Sequence, residues 1–461
     1  MWPIVEDTIV AIATPPGVGG VGIVRISGQN IKIIAKAILR NSSLVHQKAV
    51  YTDFLTETKE IIDSGIAIYF KGPKSFTGED ILELQAHGSP IVLNLLLQRI
   101  CIVGARIAEP GEFTKRAFLR GKIDLLQAES IVSLIHAQTE QAVKAATKSL
   151  QGYFSKQINH LFACLTELRM KIEATIDFPE DVNMLESNKL KQELINLKKH
   201  INNLLKQAKQ GLLLSNGIKV VILGEPNVGK SSLLNLLSQK DIAIVTDIAG
   251  TTRDVLTAKI NIDGLLLEII DTAGFRVPLN IVEAIGIDKA KEEAHQADLI
   301  VLMLDVNDPL AQEPDSDHFI ERLLTTHKCS SLLINKKVLI LINKIDINNL
   351  LPRISNNRDV IWMSVAKGLG IDLLKTQIKN IAGFSEHAPL FSVRIRHLEA
   401  LRKVLLHVEN GCYMVQQKDK VSLDWLAEEM RLAQNYLSEI TGRFSCEDLL
   451  EKIFSEFCIG K

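Results

Sequence analysis

The chain has 461 residues, room for about three domains of ordinary size. Hydrophobic residues make up 46% and charged residues 23%, a globular composition that excludes a disordered or fibrous chain. Its 53 basic and 54 acidic side chains create no global basic field, so a nucleic-acid partner has to be held by a local patch. Six cysteines (Cys101, Cys164, Cys329, Cys412, Cys446, Cys458) are scattered singly. Without a Cys-x-x-Cys pair, a zinc ribbon and a disulfide framework are both disfavoured, and a reducing compartment fits. Met1 to Thr14 carries Glu6 and Asp7 and has no basic segment before an apolar core, unlike a signal peptide. No apolar run reaches about 18 residues, so the expectation is a cytoplasmic protein with no membrane span.

Residues 1–120 read as an α+β domain. Thr8–Ala13 and Val21–Ile26 look like strands separated by a Pro-Pro-Gly and Gly-Gly turn, and Ile81–Gln85 like another. From Phe113 to about Ile176 the pattern is helical, with Leu125, Ala128, Ile131, Leu134 and Ile135 at helical spacing, until Pro179 breaks it. A second helical run over 188–214 places Leu190, Leu194, Leu197, Ile201 and Leu204 on one side. At Lys219 apolar strands begin to alternate with helices: Val220–Leu223, Leu266–Ile270, Leu299–Leu304 and Val338–Ile342. From about Val393 the chain is helical again, with Leu398, Leu401, Leu405 and Val408 on one face. The expected architecture is multidomain α/β plus all-α: residues 1–120 α+β, 121–217 helical, 218–382 an inserted α/β domain and 383–461 the rest of the helical domain.

Gly224-Glu-Pro-Asn-Val-Gly-Lys-Ser231 follows a strand and opens a helix, which is the P-loop pattern in its required setting. Its glycines let backbone N–H groups wrap phosphates, and the helix N-terminus favours anions. Asn227, Val228, Gly229, Lys230, Ser231 and Ser232 form this cradle; Lys230 would reach the β- and γ-phosphates and Ser231 would ligate Mg²⁺. Four further segments select GTP. Thr246, Asp247, Ile248, Ala249, Gly250, Thr251 and Thr252 occupy the switch region, where Thr252 is the expected second Mg²⁺ ligand. Asp271, Thr272, Ala273 and Gly274 follow a strand, the aspartate able to reach Mg²⁺ through water and the glycine to sense the γ-phosphate. Asn343, Lys344 and Asp346 follow another strand, and an aspartate there can accept both N–H donors of guanine's Watson–Crick edge. Ser364, Val365 and Ala366 fit the last base-supporting loop. Asn335-Lys-Lys is a decoy, lying before its strand and lacking the aspartate.

The hydrolytic residues are harder to find. Phe275 stands where many small GTPases carry a water-orienting glutamine, so another group must position the nucleophile and another cation must neutralise charge. Arg253 and Arg276 are near in sequence, although both also read as surface arginines. Glu283 is a candidate to orient water, beside its reading as an ordinary exposed helix glutamate.

Further motifs carry a resemblance: Thr14-Pro-Pro-Gly with Gly-Gly-Val-Gly-Ile and Arg-Ile-Ser-Gly28, Ser75-Phe-Thr-Gly-Glu-Asp80 with Glu83 and His87-Gly, Pro110-Gly-Glu-Phe113, Ile248-Ala-Gly-Thr-Thr-Arg-Asp254, and Phe457-Cys-Ile-Gly-Lys461. Over essentially its whole length the chain resembles the MnmE (TrmE) family of bacterial tRNA-modification GTPases. The resemblance implies a Ras-like P-loop domain inserted in a helical domain and preceded by a folate-binding, dimerising domain. It implies a homodimer that joins the FAD-dependent MnmG in a heterotetramer and modifies C5 of the wobble uridine (position 34) of certain tRNAs. The one-carbon unit would come from 5-formyl- or 5,10-methylene-tetrahydrofolate. Arg25, Glu83, Lys122 and Lys461 match the family's folate positions. Asn227, Thr246, Ile248 and Thr251 match its potassium site, and Glu283 its water-orienting glutamate. Cys458 is a candidate nucleophile or redox thiol, against the plainer reading that Phe457, Cys458 and Ile459 pack the tail.

Taken without the resemblance, Gly17–Gly22 is a tight turn, Arg25 on a strand reads as a surface residue or ion-pair partner, and Lys122 at a helix start is ordinary. Two other functions stay open on the residues: a ribosome-assembly switch of the Era type, and a signalling switch that only binds effectors. An Era-type chain would carry an RNA-binding domain after its G domain and would lack the Cys-Ile-Gly-Lys end.

Overall fold

The computed structural model describes residues 7–177, 187–240, 257–271, 296–312, 336–355, 359–385, 391–416, 423–442, 450, 453–455, 457 and 460. They fall into two compact units, one drawn from Met1–Val132, Leu150–Leu197 and Lys403–Lys461, the other from Ser133–Ser149 and Lys198–Arg402.

The first unit opens with a six-stranded sheet made of β1 (Ile9–Ile12), β2 (Gly19–Ser27), β3 (Ala49–Leu55), β4 (Ile61–Phe70), β5 (Ile81–Gly88) and β6 (Arg106–Ile107), in the order β3-β4-β5-β2-β1-β6. Only β1 and β6 run parallel. Strand alternation sends Val24, Ile26, Leu82, Leu84 and Ala86 to one face, where α1 (Ile31–Ile38) and α2 (Pro90–Ile102) cover them. Helix α1 buries Ile31, Ile34, Ala35 and Ile38, the i, i+3, i+4, i+7 pattern of an amphipathic helix. The glycine-rich stretch expected to be only a turn is partly strand. Strand β2 begins at Gly19 and slips register between Gly19 and Gly22. A Cβ on Gly22 would lie 2.5 Å from the Leu93 side chain, so α2 can approach only a bare backbone.

The helical run expected from Phe113 to Ile176 is four helices: α3 (Glu112–Leu119), α4 (Leu125–Ile135), α5 (Glu140–Leu150) and α6 (Tyr153–Asp177). Gly121 (φ 67°) and Gly152 (φ 81°) take left-handed conformations that end one helix and aim the next. Helix α4 starts on a reciprocal cap, the Asp124 carboxylate accepting the Gln127 N–H while the Gln127 amide oxygen accepts the Asp124 N–H. Helix α6 packs on α11 (Leu423–Thr441) through Leu161, Leu165, Leu168 and Ile172 on one side and Leu426, Met430, Ala433 and Leu437 on the other. The tail residues Leu450, Ile453, Phe454 and Phe457 pack with Leu125 and Ala128 of α4.

The second unit is a seven-stranded sheet: β7 (Ile218–Gly224), β8 (Thr257–Ile262), β9 (Leu265–Asp271), β10 (Leu299–Asp305), β11 (Lys337–Asn343), β12 (Arg353–Ile354) and β13 (Val360–Trp362), in the order β12-β13-β11-β10-β7-β9-β8. The centre is parallel, and each edge strand turns back antiparallel. Val220 and Ile222 face one core and Val221 and Leu223 the other, so β7 is buried on both faces, as a central parallel strand must be. In chain order this α/β domain lies between α7 (Ser187–Asn216) and α10 (Ile395–Gln416), and it contains α8 (Lys230–Lys240) and α9 (Ile371–Ala382). The architecture is thus α+β, helical and P-loop α/β, as the sequence indicated. Among the described residues no helix is long and apolar enough to cross a membrane.

A buried ionic network joins the edge of the first sheet to α3. Arg116, 6% exposed, donates to the Asp7 carboxylate (2.6 Å), Glu112 (2.8 Å) and Glu79 (3.2 Å). Arg106 grips Glu112 with two parallel bonds of 2.7 and 2.8 Å, and Arg120 reaches Glu79 at 2.7 Å. Burial alone would push the Glu112 carboxyl up, but Arg106, the Glu109 N–H and Arg116 outweigh it and bring it from 4.5 down to about 2. Because this folded-state value lies below the unfolded one, the stabilisation is fully present above pH 4.5 and is lost as the pH falls toward 2. Glu112→Gln should therefore flatten the acid limb of the stability–pH curve in that window. It should also cost about 3 kcal/mol at neutral pH, because it leaves Arg106 and Arg116 without their shared anion. Urea unfolding from pH 2 to 7 measures both effects.

Candidate nucleotide site

Strand β7 lies between β9 and β10, the point where the strand order reverses direction. Open parallel sheets form their ligand crevice at the carboxyl end of such a strand. The loop from Gly224 to Gly229 leaves that end and runs into α8, whose first turn closes with the Leu233 N–H donating to the Gly229 carbonyl at 2.9 Å. Two glycines are required sterically. A Cβ on Gly224 would lie 2.5 Å from the Met303 carbonyl oxygen, and one on Gly229 would lie 2.5 Å from Asn343 Nδ2. Asn227 holds φ 62°, a left-handed conformation that asparagine tolerates better than most side chains. Lys230 Nζ curls back over the loop and donates to the Gly224 and Glu225 carbonyls, both at 2.8 Å. Val228 is buried, and Ser231 and Ser232 are exposed on the first turn of α8.

The carboxamide of Asn343, at the end of β11, joins three segments. Its Nδ2 donates to the Val228 carbonyl at 2.8 Å, and its Oδ1 accepts the Val365 N–H at 3.0 Å, both bonds buried. The phosphate loop, the Asn343–Asp346 loop and the Ser364–Ala366 loop are thereby held on one edge of the sheet. Ser364 is fully buried, and its hydroxyl donates to Asp346 Oδ1, which keeps that carboxyl below its ordinary range. Asp346 remains partly exposed and Ala366 exposed. Lys344, at φ 67°, places Nζ 2.7 Å from Asp305 at the end of β10. Asp305 was missed in the sequence; the available signal was an aspartate ending the strand that neighbours β11, in register with Asn343.

Strand β9 ends at Asp271, whose backbone pairs with Ile222 of β7, while the Asp271 side chain lies outside the described residues. Thr246, Asp247, Ile248, Ala249, Gly250, Thr251, Thr252, Arg253, Thr272, Ala273, Gly274, Phe275, Arg276 and Glu283 lie outside them too, as do Cys458 and Lys461. Ser231 on α8 and the end of β9 flank the end of β7, an arrangement compatible with a magnesium ion that prefers oxygen donors.

In the first unit Arg25 and Glu83 are directly opposed on β2 and β5, with Nε 2.8 Å from Oε1. A terminal nitrogen of Arg25 also donates to the Gly460 carbonyl at 3.2 Å. Gly460 (φ 94°) is packed so that a Cβ would lie 2.7 Å from the Ile12 carbonyl oxygen. Lys122 has a different partner, the Pro73 carbonyl at 2.9 Å. The residues on either side of Cys458 that are described, Phe457 and Gly460, are both buried.

Comparison with known proteins bears on both units. Residues 8–122 match the family model for the GTP-binding protein TrmE N-terminus, and residues 125–458 match that for the MnmE helical domain. The chain is 47% identical to the tRNA modification GTPase MnmE of Coxiella burnetii over 468 residues, covering 100% of both chains. It is 47% identical to the protein of that name from Proteus mirabilis and 45% identical to that from Hydrogenovibrio crunogenus, each over 99% of both chains. With a phosphate loop, a base loop and two family models that together span nearly the whole sequence, the chain belongs to the MnmE family of tRNA modification GTPases.

Proposed function

We propose that this chain binds GTP at the β7–α8 edge, hydrolyses it with Mg²⁺, and uses the hydrolysis to drive modification of tRNA. The observation that carries this reading is Asn343, which ties the phosphate loop through Val228 to the base loop through Val365. Asp346 is poised as the acceptor for guanine's two N–H donors, its carboxyl held below the ordinary range by the hydrogen bond from Ser364. Lys230, Ser231 and the backbone from Asn227 to Ser232 take the phosphates, with Thr272, Ala273, Gly274 and the 246–252 segment completing the pocket. Ser231 and Thr252 hold the magnesium ion, which supplies charge neutralisation on the β- and γ-phosphates. Asn227, Thr246, Ile248 and Thr251 hold a potassium ion, and Glu283 orients the attacking water in place of the glutamine that Phe275 replaces.

The finer reading extends the family resemblance. The chain works as a homodimer in the cytoplasm and joins the flavoprotein MnmG in a heterotetramer. Together they install an aminomethyl-type group at C5 of the wobble uridine. A tetrahydrofolate derivative donates the one-carbon unit near Arg25, Glu83, Lys122 and Lys461. Residues 1–120 form the folate and dimerisation domain, 121–217 and 383–461 the helical domain, and 218–382 the G domain. Support for the folate site is the Arg25–Glu83 pair and its contact with Gly460, next in sequence to Lys461. The direct test is the modification state of wobble uridines in cells lacking the chain; an unchanged state overturns the reading.

Asp346→Asn should weaken GTP and GDP binding by about 100-fold or more, since it removes an ionic acceptor for two donors. Xanthine presents an oxygen where guanine has its amino group, so the same variant should gain affinity for XTP; titration with both nucleotides reads the exchange. GTP turnover should fall when sodium replaces potassium at equal ionic strength. Glu283→Ala should lower turnover strongly while leaving GTP affinity nearly intact, because a water-orienting group acts mainly in the transition state. Equal rates in the two salts would remove the potassium site. Cys458→Ser should keep GTP turnover and lose wobble-uridine modification in an assay with the flavoprotein partner; full modification would leave the thiol as packing.

A further inference from the structure

On helices α5 and α6 cations are paired within the helix: Lys144 with Glu140, Lys171 with Glu167 and Arg169 with Glu173, each four residues apart. The second half of α7 is built differently. From Leu194 to Gly224 the sequence holds no acidic residue. Lys199, Asn202, Asn203, Lys206 and Lys209 recur at the i, i+3, i+4, i+7, i+10 spacing of one helix face, and all five are exposed. Ile201, Leu204, Leu205 and Ala208, on the other side, are buried. Among the described residues, Lys199, Lys206 and Lys209 have no ion-pair partner. The last turn of α7 has no basic residue, so these lysines do not serve to offset the helix dipole. Lys206 and Lys209, three residues apart on one face, repel each other at a small cost to the helix. A chain of net charge −1 thus carries an unneutralised cationic stripe about 15 Å long.

We propose that this face of α7 binds the phosphate backbone of tRNA. The proposal rests on the reading that the chain acts on tRNA. With basic and acidic side chains in balance, a polyanion has to be held by a local patch, and this patch has no anion within it to compete. Lysine meets phosphate as a point charge, and Asn202 and Asn203 place polar groups between the charges, where sugar and phosphate oxygens lie. A membrane surface fits less well. The apolar side of α7 is already buried in the protein, and no exposed apolar side chain stands among the lysines to enter a lipid layer. Phosphate contacts set register and orientation and carry no base information, so the stripe holds different tRNAs alike.

The test uses the full-length chain with Lys199→Gln, Lys206→Gln and Lys209→Gln combined. Affinity for two tRNAs of different sequence is measured across a series of salt concentrations. Three lost phosphate contacts should lower the slope of log affinity against log salt by about 2 to 3. Affinity at low salt should fall about tenfold or more, equally for both tRNAs, while GTP turnover without tRNA stays within about twofold of wild type. Stability to urea should be unchanged or slightly raised, because the substitutions remove repulsion. The control combines Lys32→Gln, Lys36→Gln and Lys59→Gln, three exposed lysines elsewhere, and should bind tRNA as wild type does. An unchanged affinity and salt slope in the α7 variant would overturn the inference. So would an equal loss in the control, which marks an effect of net charge alone. Loss of wild-type binding to phosphatidylserine vesicles in the α7 variant, with tRNA binding intact, would assign the stripe to a membrane instead. A wild-type chain without affinity for tRNA would take down the reading beneath the proposal as well.

Discussion

The two buried hydrogen bonds of Asn343 are the constraint on which the nucleotide edge depends. Three loops leave the carboxyl ends of β7, β11 and β13, and backbone strain alone would let each find its own position. One carboxamide, 3% exposed, accepts from one loop and donates to another, so their spacing is set by the length of a single side chain. No larger residue could sit at Gly229, because the Asn343 amide already occupies the space beside it. The apolar faces of β7, β10 and β11 then fix where Asn343 itself stands. Burying an amide is costly unless it is fully bonded, and here both of its ends are.

The first unit solves a similar problem with charge. Its sheet edge at β6 is only two residues long, too short to hold α3 by backbone pairing. Arg106, Glu112, Arg116, Glu79 and Asp7 supply the missing attachment, alternating in sign so that no ion is left alone. Such a network adds less net stability than an apolar contact of equal size, but it admits few alternative arrangements.

How much of this could be read from the residues varied with the kind of signal. The strands β7, β9, β10 and β11 were legible because each is a short apolar run bounded by polar residues, and the P-loop was legible from its spacing. Helix α2 was not, since Pro-Ile-Val-Leu-Asn-Leu-Leu-Leu is apolar on every side and shows no period. Strands β3 and β4 alternate only weakly, with the apolar side chains of Tyr51 and Ile66 exposed. The breaks within the 112–177 helical stretch depend on Gly121 and Gly152 at positive φ, which composition alone cannot distinguish from tolerated helix glycines. The attachment of α5 to the β8–β9 hairpin rests on contacts between residues 125 positions apart, as with Thr139 and Gly264, and no local pattern encodes them.

The bond between Arg25 and the Gly460 carbonyl spans 435 positions. The core of the first sheet needs only residues 10–105, all of which leave the ribosome early. At about 5–20 residues per second, that core waits roughly 20 to 70 s before Gly460 is made. During synthesis the first sheet therefore forms with Arg25 paired to Glu83 alone. The Gly460 carbonyl therefore meets an arginine whose place on the sheet is already set.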